Sequence, residues 1–285
     1  MESIQNLDIL PEDIQKEMAQ SAARNQLIVK TYKENQKNYG QTIVFAVNIV
    51  HAIQLTTLFK KEGIRFKYWG EIFKLGIPIA IATALETVVF STLSLMVSRF
   101  DTTIIASHQA ALNFSGFLYS LPVSVANTAT IIVAYHVGAK NYKLAKSYTA
   151  LSVALGVISS GVAGLIVLLF DTQIPYLYST DSGVIDLTAH LLIFAIGFAL
   201  CDSFASALAG VLRGYKKVVP ICLAMFVGYY IVGIPVAYYL VFTKGVGIDG
   251  LWIGWIIGLA VYALGVLGYY LNLSRGISKK LNTAK

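Results

Sequence analysis

The chain has 285 residues, of which 56% are hydrophobic and only 13% charged, with a formal net charge of +7. A water-soluble domain carries roughly 25% charged residues, so this composition excludes an ordinary soluble enzyme as the fold of the whole chain. Two cysteines, Cys201 and Cys222, both within apolar runs, are too few for a disulfide framework or a thiolate metal site and read as packing residues.

The charge is unevenly spread. Residues 1–74 hold ten Lys/Arg and eight Asp/Glu, a normal soluble density, while residues 75–285 hold twelve and seven. The front, residues 1–65, therefore reads as a short soluble segment, α/β or helical, and residues 66–285 as the membrane part. The N-terminus is acidic and has no basic region followed by an apolar core, so no cleavable signal peptide is expected. Within the front, Thr42–Val47 (TIVFAV) is rich in β-branched residues and predicts a strand, with Asn48–Lys61 as a following helix. Asn48, His51 and Gln54 speak against a membrane span there. The competing reading is a degraded transmembrane helix.

Six apolar stretches follow. A hydrocarbon core of ~30 Å needs about 20 apolar residues per helix, with every backbone polar group satisfied internally. Leu75–Ser98 contains one charge, Glu86. Thr102–Val137 and Ser147–Phe170 contain none. Leu187–Leu212 contains one, Asp202, and Val218–Thr243 and Gly250–Ser274 contain none. These runs predict an all-α membrane protein, a six-helix transmembrane bundle. Lys140, Lys143, Lys146, Arg213, Lys216, Lys217, Arg275 and Lys279 fall in loops or tail on one side, against Arg99 and Lys244 on the other. That asymmetry predicts both termini on the cytoplasmic side of a plasma (inner) membrane. Placed in these loops, the positive excess follows topology, and no nucleic-acid partner is expected.

Gly250, Gly254 and Gly258 repeat every four residues, the small-residue spacing that lets membrane helices approach closely, and Ser160 and Gly164 repeat it more weakly. Pro78, Pro122, Pro220 and Pro235 lie within or near the starts of spans and are expected to bend them.

Glu86 and Asp202 carry the chemistry. A carboxylate near the middle of a span costs several kcal/mol unless it is neutral, paired or solvated by an internal cavity. No Lys or Arg is expected inside the membrane to pair them, which favours a site that exchanges a proton or Na⁺ over a purely structural hydrogen bond. Thr83, Thr87 and Ser203 flank the acids and are candidate oxygen ligands to a hard cation. Gln109 and Asn113 share a helix face and are candidates for the cavity or for interhelical hydrogen bonds, and Phe198, one turn before Asp202, is a further candidate lining residue. His108 and His136 read as interfacial residues. No nucleotide-binding, metalloprotease or nucleophile-elbow motif is present, so neither an enzyme nor an ATP-driven pump is expected.

Several segments resemble the C-terminal lobe of multidrug and toxic compound extrusion (MATE) transporters: LGIPI at 75–79, ALETVVF at 84–90, SHQAALNFS at 107–115, LPVS at 121–124, VGAK at 137–140, the surroundings of Asp202, GVLRGYK at 210–216 and Ile234-Pro235. The resemblance covers about residues 66–275. It implies a fold of two six-helix lobes around a central cavity, of which one is seen here. It also implies efflux of drugs or organic cations against Na⁺ or H⁺, with no other cofactor and with Glu86 and Asp202 as the cation- or proton-coupling acids. Any metal would be Na⁺ at those two residues. A half-length (truncated) chain is then expected to work as a homodimer or with a separate N-terminal lobe in the lipid bilayer. The alternative is an inactive membrane remnant. Residues 8–64, with RNQLIV at 24–29, TIVFAV at 42–47 and His51-Ala-Ile53, are similar to a piece of the second RecA-like domain of superfamily 2 helicases.

Overall fold

The computed structural model describes residues 21–39, 49–64 and 69–283. It divides into two compact units, Met1–Ile72 and Phe73–Lys285.

In the first unit, helices α1 (Ala22–Tyr39) and α2 (Ile49–Lys61) pack through Val29, Leu55 and Phe59, with Tyr32 edge-on to Phe59 at 5.5 Å. Beneath this apolar contact, His51 Nε2 lies 2.9 Å from Asn25 Oδ1, and the Asn25 amide donates to Gln54 Oε1 at 3.2 Å. Lys33 and Glu62 close the exposed end as an ion pair at 2.7 Å. Helix α2 begins within one residue of the helix expected from the sequence. The expected strand at 42–47 lies outside the described residues. Burial, and then the charge of Arg24, hold His51 below its usual value of 6.5. The folded pair thus favours neutral imidazole, and the unfolded chain binds the extra proton. Packing of α1 on α2 is therefore strongest above about pH 6.5 and weakens as pH falls below it. Amide exchange of residues 51–59, corrected for intrinsic rate, should be faster near ~pH 5 than near ~pH 7.5, and His51→Gln should flatten that difference.

The second unit holds α3 (Trp69–Val97) from Phe73 onward, α4 (Thr102–Gly138), α5 (Tyr142–Leu169), a 3-10 turn at Ile174–Leu177, α6 (Ser182–Gly214), α7 (Val219–Thr243) and α8 (Ile248–Thr283). All six helices are long and apolar enough to cross a bilayer. Helices α5 and α6 begin at Tyr142 and Ser182, earlier than the apolar runs near Ser147 and Leu187. Hydropathy marks where charges stop, whereas a cap marks where a helix starts. Asp101 accepts from Ile104 N, Asn141 from Leu144 N and Asp181 from Val184 N, each satisfying an otherwise orphan backbone donor. Gly245 and Gly247, both at positive φ, make the tight turn from α7 into α8.

Glycine sets the packing. A side chain at Gly210 of α6 would run into the Ala126 backbone of α4, and one at Gly214 would meet Thr130 and Ala134. The Thr130 hydroxyl sits 2.9 Å from both Ala126 O and Gly210 O, tying the same two helices. Gly156 of α5 lies against the Ser203 carbonyl, and Gly164 against Ile196, with Ser160 buried between them on the same face. On the other side of the bundle, Gly250, Gly254 and Gly258 of α8 meet Leu240, Ala237 and the Gly228–Gly233 stretch of α7. The four-residue glycine repeat is thus spent inside the bundle. Helix α7 widens to π-helix over Phe226–Gly233 and Tyr239–Thr243, on either side of Pro235. The proline ring and its missing N–H break the regular ladder, and the wider turns accommodate the mismatch. The outer surface remains apolar, with Leu95, Phe117, Ile131 and Leu165 exposed, as a lipid-facing surface requires.

Helix α3 is held differently. Among the described residues its backbone is approached by the other helices more sparsely than theirs by one another. Side chains bridge the gap: Tyr230 Oη donates to Leu85 O at 2.8 Å, Cys222 Sγ to Pro78 O at 2.9 Å, and Phe90 meets Trp255 edge-on at 4.9 Å.

Adding one methyl at Gly254 drives it into the Ala237 backbone, whereas a Cβ at Gly268 meets open space. Gly254→Ala should therefore cost about 1–3 kcal/mol by overpacking and lower the thermal midpoint in detergent. Gly268→Ala should leave it unchanged or slightly higher, because alanine is the better helix former.

Candidate functional site

The gap between α3 and the rest of the bundle is a cavity of about 230 Å³. Helix α3 contributes Ile79, Ala82, Thr83 and Glu86; α4 contributes Tyr119, Val123, Ala126 and Asn127; α6 contributes Asp202, Ser206, Ala209 and Arg213. Ile221 and Met225 of α7 and Tyr262 of α8 complete it. Both acids singled out in the sequence therefore face one space, from opposite helices. Tyr119 Oη donates to Glu86 Oε1 at 3.1 Å. Asp202 is almost fully buried, and the Ser206 hydroxyl lies 3.4 Å from each of its carboxylate oxygens. Oxygen donors of both hydroxyl and carboxylate type thus surround the cavity, the set that a proton or a hard monovalent cation uses.

Of the other candidate residues, Thr83 lines this cavity. Thr87 does not. Its hydroxyl donates back to Thr83 O at 3.0 Å from the exposed side of α3. Ser203 is fully buried with its hydroxyl turned onto Ala199 O and Leu200 O, and its own carbonyl faces Gly156 of α5. Phe198 packs on Trp255 at 4.4 Å between ring centroids, in the core. Gln109 and Asn113 line a separate depression with Tyr178, whose hydroxyl donates to Asn113 Oδ1 at 3.0 Å. For Ser203 the reason is helical geometry: a residue next to an acid in sequence points about 100° away from it, while one three or four positions on shares its face.

Two further readings change. Arg213, expected in a loop, is in the last turn of α6 and lines the acid cavity, so the two carboxylates do share their space with a fixed cation. His108, expected at the interface, is fully buried in the bundle and edge-on to Trp252 at 5.8 Å. His136 lies in the last turn of α4, stacked on Tyr148 at 4.9 Å.

Tyr119, Asn127, Ser206, Arg213 and Tyr262 are lining residues that the sequence reading does not single out. Ser206 is legible there, four residues after Asp202 and hence on its face. Tyr119 and Tyr262 are not, because their role comes from helices that meet only in the fold. In a chain with Cys201 and Cys222 replaced by Ala, Ser206→Cys and Thr83→Cys should react with a small water-soluble thiol reagent. Ser203→Cys should stay unlabelled. Equal labelling of Ser203→Cys would contradict the assigned faces of α6.

Comparison with known proteins agrees with this architecture. The family model described as MatE matches residues 78–239. A probable multidrug resistance protein NorM of Bacillus licheniformis is 41% identical over 213 residues, 75% of this chain and 46% of that protein. Its counterpart in Bacillus subtilis is 40% identical over 215 residues, 75% of this chain and 48% of the relative. The crystal structure of a eukaryotic MATE transporter superposes with a TM-score of 0.68 at 24% identity, covering 82% of this chain and 57% of that one. This likeness establishes the fold. The chain spans about half the length of the curated relatives it matches. The likeness of residues 8–64 to a helicase fragment is not supported by these matches. A family match over more than half of the chain, joined to six membrane-length helices around a shared pair of acids, shows that the chain belongs to the MATE family of multi-pass membrane transporters.

Proposed function

We propose that this chain supplies the cation-coupled six-helix lobe of an efflux antiporter for small organic, mainly cationic compounds, driven by Na⁺ or H⁺. The observation that carries the reading is the convergence of Glu86 and Asp202 on one cavity, which they share with the single cation Arg213. With both acids ionised and Arg213 charged, the lining carries one net negative charge. One proton, one Na⁺ or one monovalent organic cation neutralises it. Two such occupants cannot both be accommodated without leaving a net positive charge in a low-dielectric surround, which is costly. Occupancy by the coupling ion and by the substrate is then mutually exclusive, and exclusive occupancy of a shared or adjoining site is the thermodynamic basis of exchange. Tyr119 and Ser206 hold the carboxylates in place, and with Thr83 they offer the hydroxyl oxygens of a Na⁺ shell.

The central cavity of such a transporter is built from two lobes, so a second six-helix lobe completes the pathway. The lysine- and arginine-rich loops support a reading in which both termini lie on the cytoplasmic side of the plasma membrane. The front segment is assigned no nucleic-acid or helicase activity.

The test is efflux of a fluorescent cationic dye from proteoliposomes of the full chain under imposed Na⁺ or pH gradients. Gradient-driven efflux is expected, with the effective ion identifying the coupling. Glu86→Gln and Asp202→Asn should each reduce it roughly tenfold or more, the factor carried by ~1.4 kcal/mol. The double substitution should abolish it. Coupled efflux surviving in the double variant would overturn the role of the acids. No transport by correctly inserted chain would favour the inactive remnant.

A further inference from the structure

A second pocket, of about 210 Å³, lies at the end of the bundle opposite the turn formed by Gly245 and Gly247. It is lined by Tyr142, Lys143, Lys146, Tyr215, Ser274, Ile277 and Ser278. Three helix ends make it: the first turn of α5, the residue that caps α6, and the last turns of α8.

Its charge is one-sided. The segments that build it, residues 134–147, 211–219 and 270–285, contain no Asp or Glu. They contribute Lys143 and Lys146 to the lining, with Lys140, Lys216, Arg275 and Lys279 nearby in sequence. Lys143 and Lys146 also sit where helix stability would not put them. The N-terminal turn of a helix favours acidic residues, because its unpaired N–H groups carry partial positive charge, yet the first turn of α5 has none. An anion placed here gains from the helix end and from both ammonium groups together.

The adjoining turns carry the same signature. Helices α4 and α6 end alike, with Lys140 at φ 57° and Lys216 at φ 58°, left-handed positions that usually select glycine. In each turn the following backbone N–H closes back on the helix, Asn141 N to His136 O at 2.8 Å and Lys217 N to Leu212 O at 2.8 Å. Lysine in place of glycine costs backbone strain at both turns. Burial pushes the Tyr215 phenol up to about 12, so it remains a hydrogen-bond donor at any physiological pH.

We infer that this pocket binds the phosphate headgroup of an anionic phospholipid. Lys143 and Lys146 supply charge, Tyr142, Tyr215, Ser274 and Ser278 donate hydrogen bonds to phosphate oxygens, and half-buried Ile277 meets the glycerol side. Position selects a lipid. The pocket lies at the ends of three helices of membrane-spanning length, and two half-buried tyrosines flank it, the residue type enriched at membrane interfaces. Basic pockets between transmembrane helices suit anionic headgroups in this way.

The experiment is lipid selectivity by electron spin resonance of the full chain in phosphatidylcholine bilayers, using spin-labelled phosphatidylglycerol and phosphatidylcholine as probes. Phosphatidylglycerol should associate roughly tenfold more strongly than phosphatidylcholine. The double variant K143Q/K146Q should lose that preference, K143R/K146R should keep it, and Lys244→Gln, in the opposite loop, should leave it unchanged. Equal association of the two lipids with wild type, or an undiminished preference in K143Q/K146Q, would overturn the proposal. So would displacement of phosphatidylglycerol by inorganic phosphate, which would make the pocket a site for the free anion.

Discussion

Between helices bathed in hydrocarbon there is no hydrophobic force to bring them together, since lipid tails are as apolar as leucine. Cohesion has to come from close approach, and close approach needs small residues. This chain meets the requirement with glycine at three of its main interfaces: Gly210 and Gly214 between α4 and α6, Gly156 and Gly164 between α5 and α6, and Gly228, Gly233, Gly254 and Gly258 between α7 and α8. Where backbones nearly touch, van der Waals contact is dense and carbonyls can be shared with hydroxyls, as Thr130 does with Gly210 O. The six-helix unit is therefore a tightly knit group of five helices with a sixth, α3, attached through side chains.

That division positions the chemistry. The cavity exists because α3 stands off from its neighbours, and its polar groups are those that span the gap. Glu86 is reached by Tyr119 from α4, while Asp202 is fixed on the rigid side by Ser206 one turn along its own helix. Arg213 at the end of α6 lowers the electrostatic cost of placing two carboxylates in one low-dielectric space. The second, lysine-lined pocket has its own lining residues, and it shares with the cavity only the helices α6 and α8.

Much of this is legible in the amino-acid sequence. The six spans follow from runs without charge, and Glu86 and Asp202 stand out because a carboxylate in a span demands a reason. The glycine repeat of α8 correctly announces a close contact. What escapes a sequence reading is finer. Hydropathy misplaces helix starts, because Asn141 and Asp181 cap their helices well before the apolar runs begin. Adjacency to the acids favours Ser203, when a period of 3.6 residues puts Ser206 on the face of Asp202. Arg213 looks like a loop cation because it follows the last apolar residue of its run, yet the helix continues through it. Tyr119 and Tyr262 cannot be found by any local rule, since only the meeting of α4 and α8 with α3 and α6 gives them their place.

The way α3 is fastened has a mechanical consequence. Besides the buried Val89, Leu93 and Val97, its ties to the bundle include a phenol on the Leu85 carbonyl, a thiol on the Pro78 carbonyl, one aromatic edge and the Tyr119–Glu86 hydrogen bond. Of these four, only the last ends on a carboxyl group. On the proposed function Glu86 would both meet the coupling ion and tether α3 through Tyr119, so neutralising it would alter one of the hydrogen bonds that hold this wall. Loading the site would then act on the wall directly, without any need for a signal to travel through the densely packed remainder.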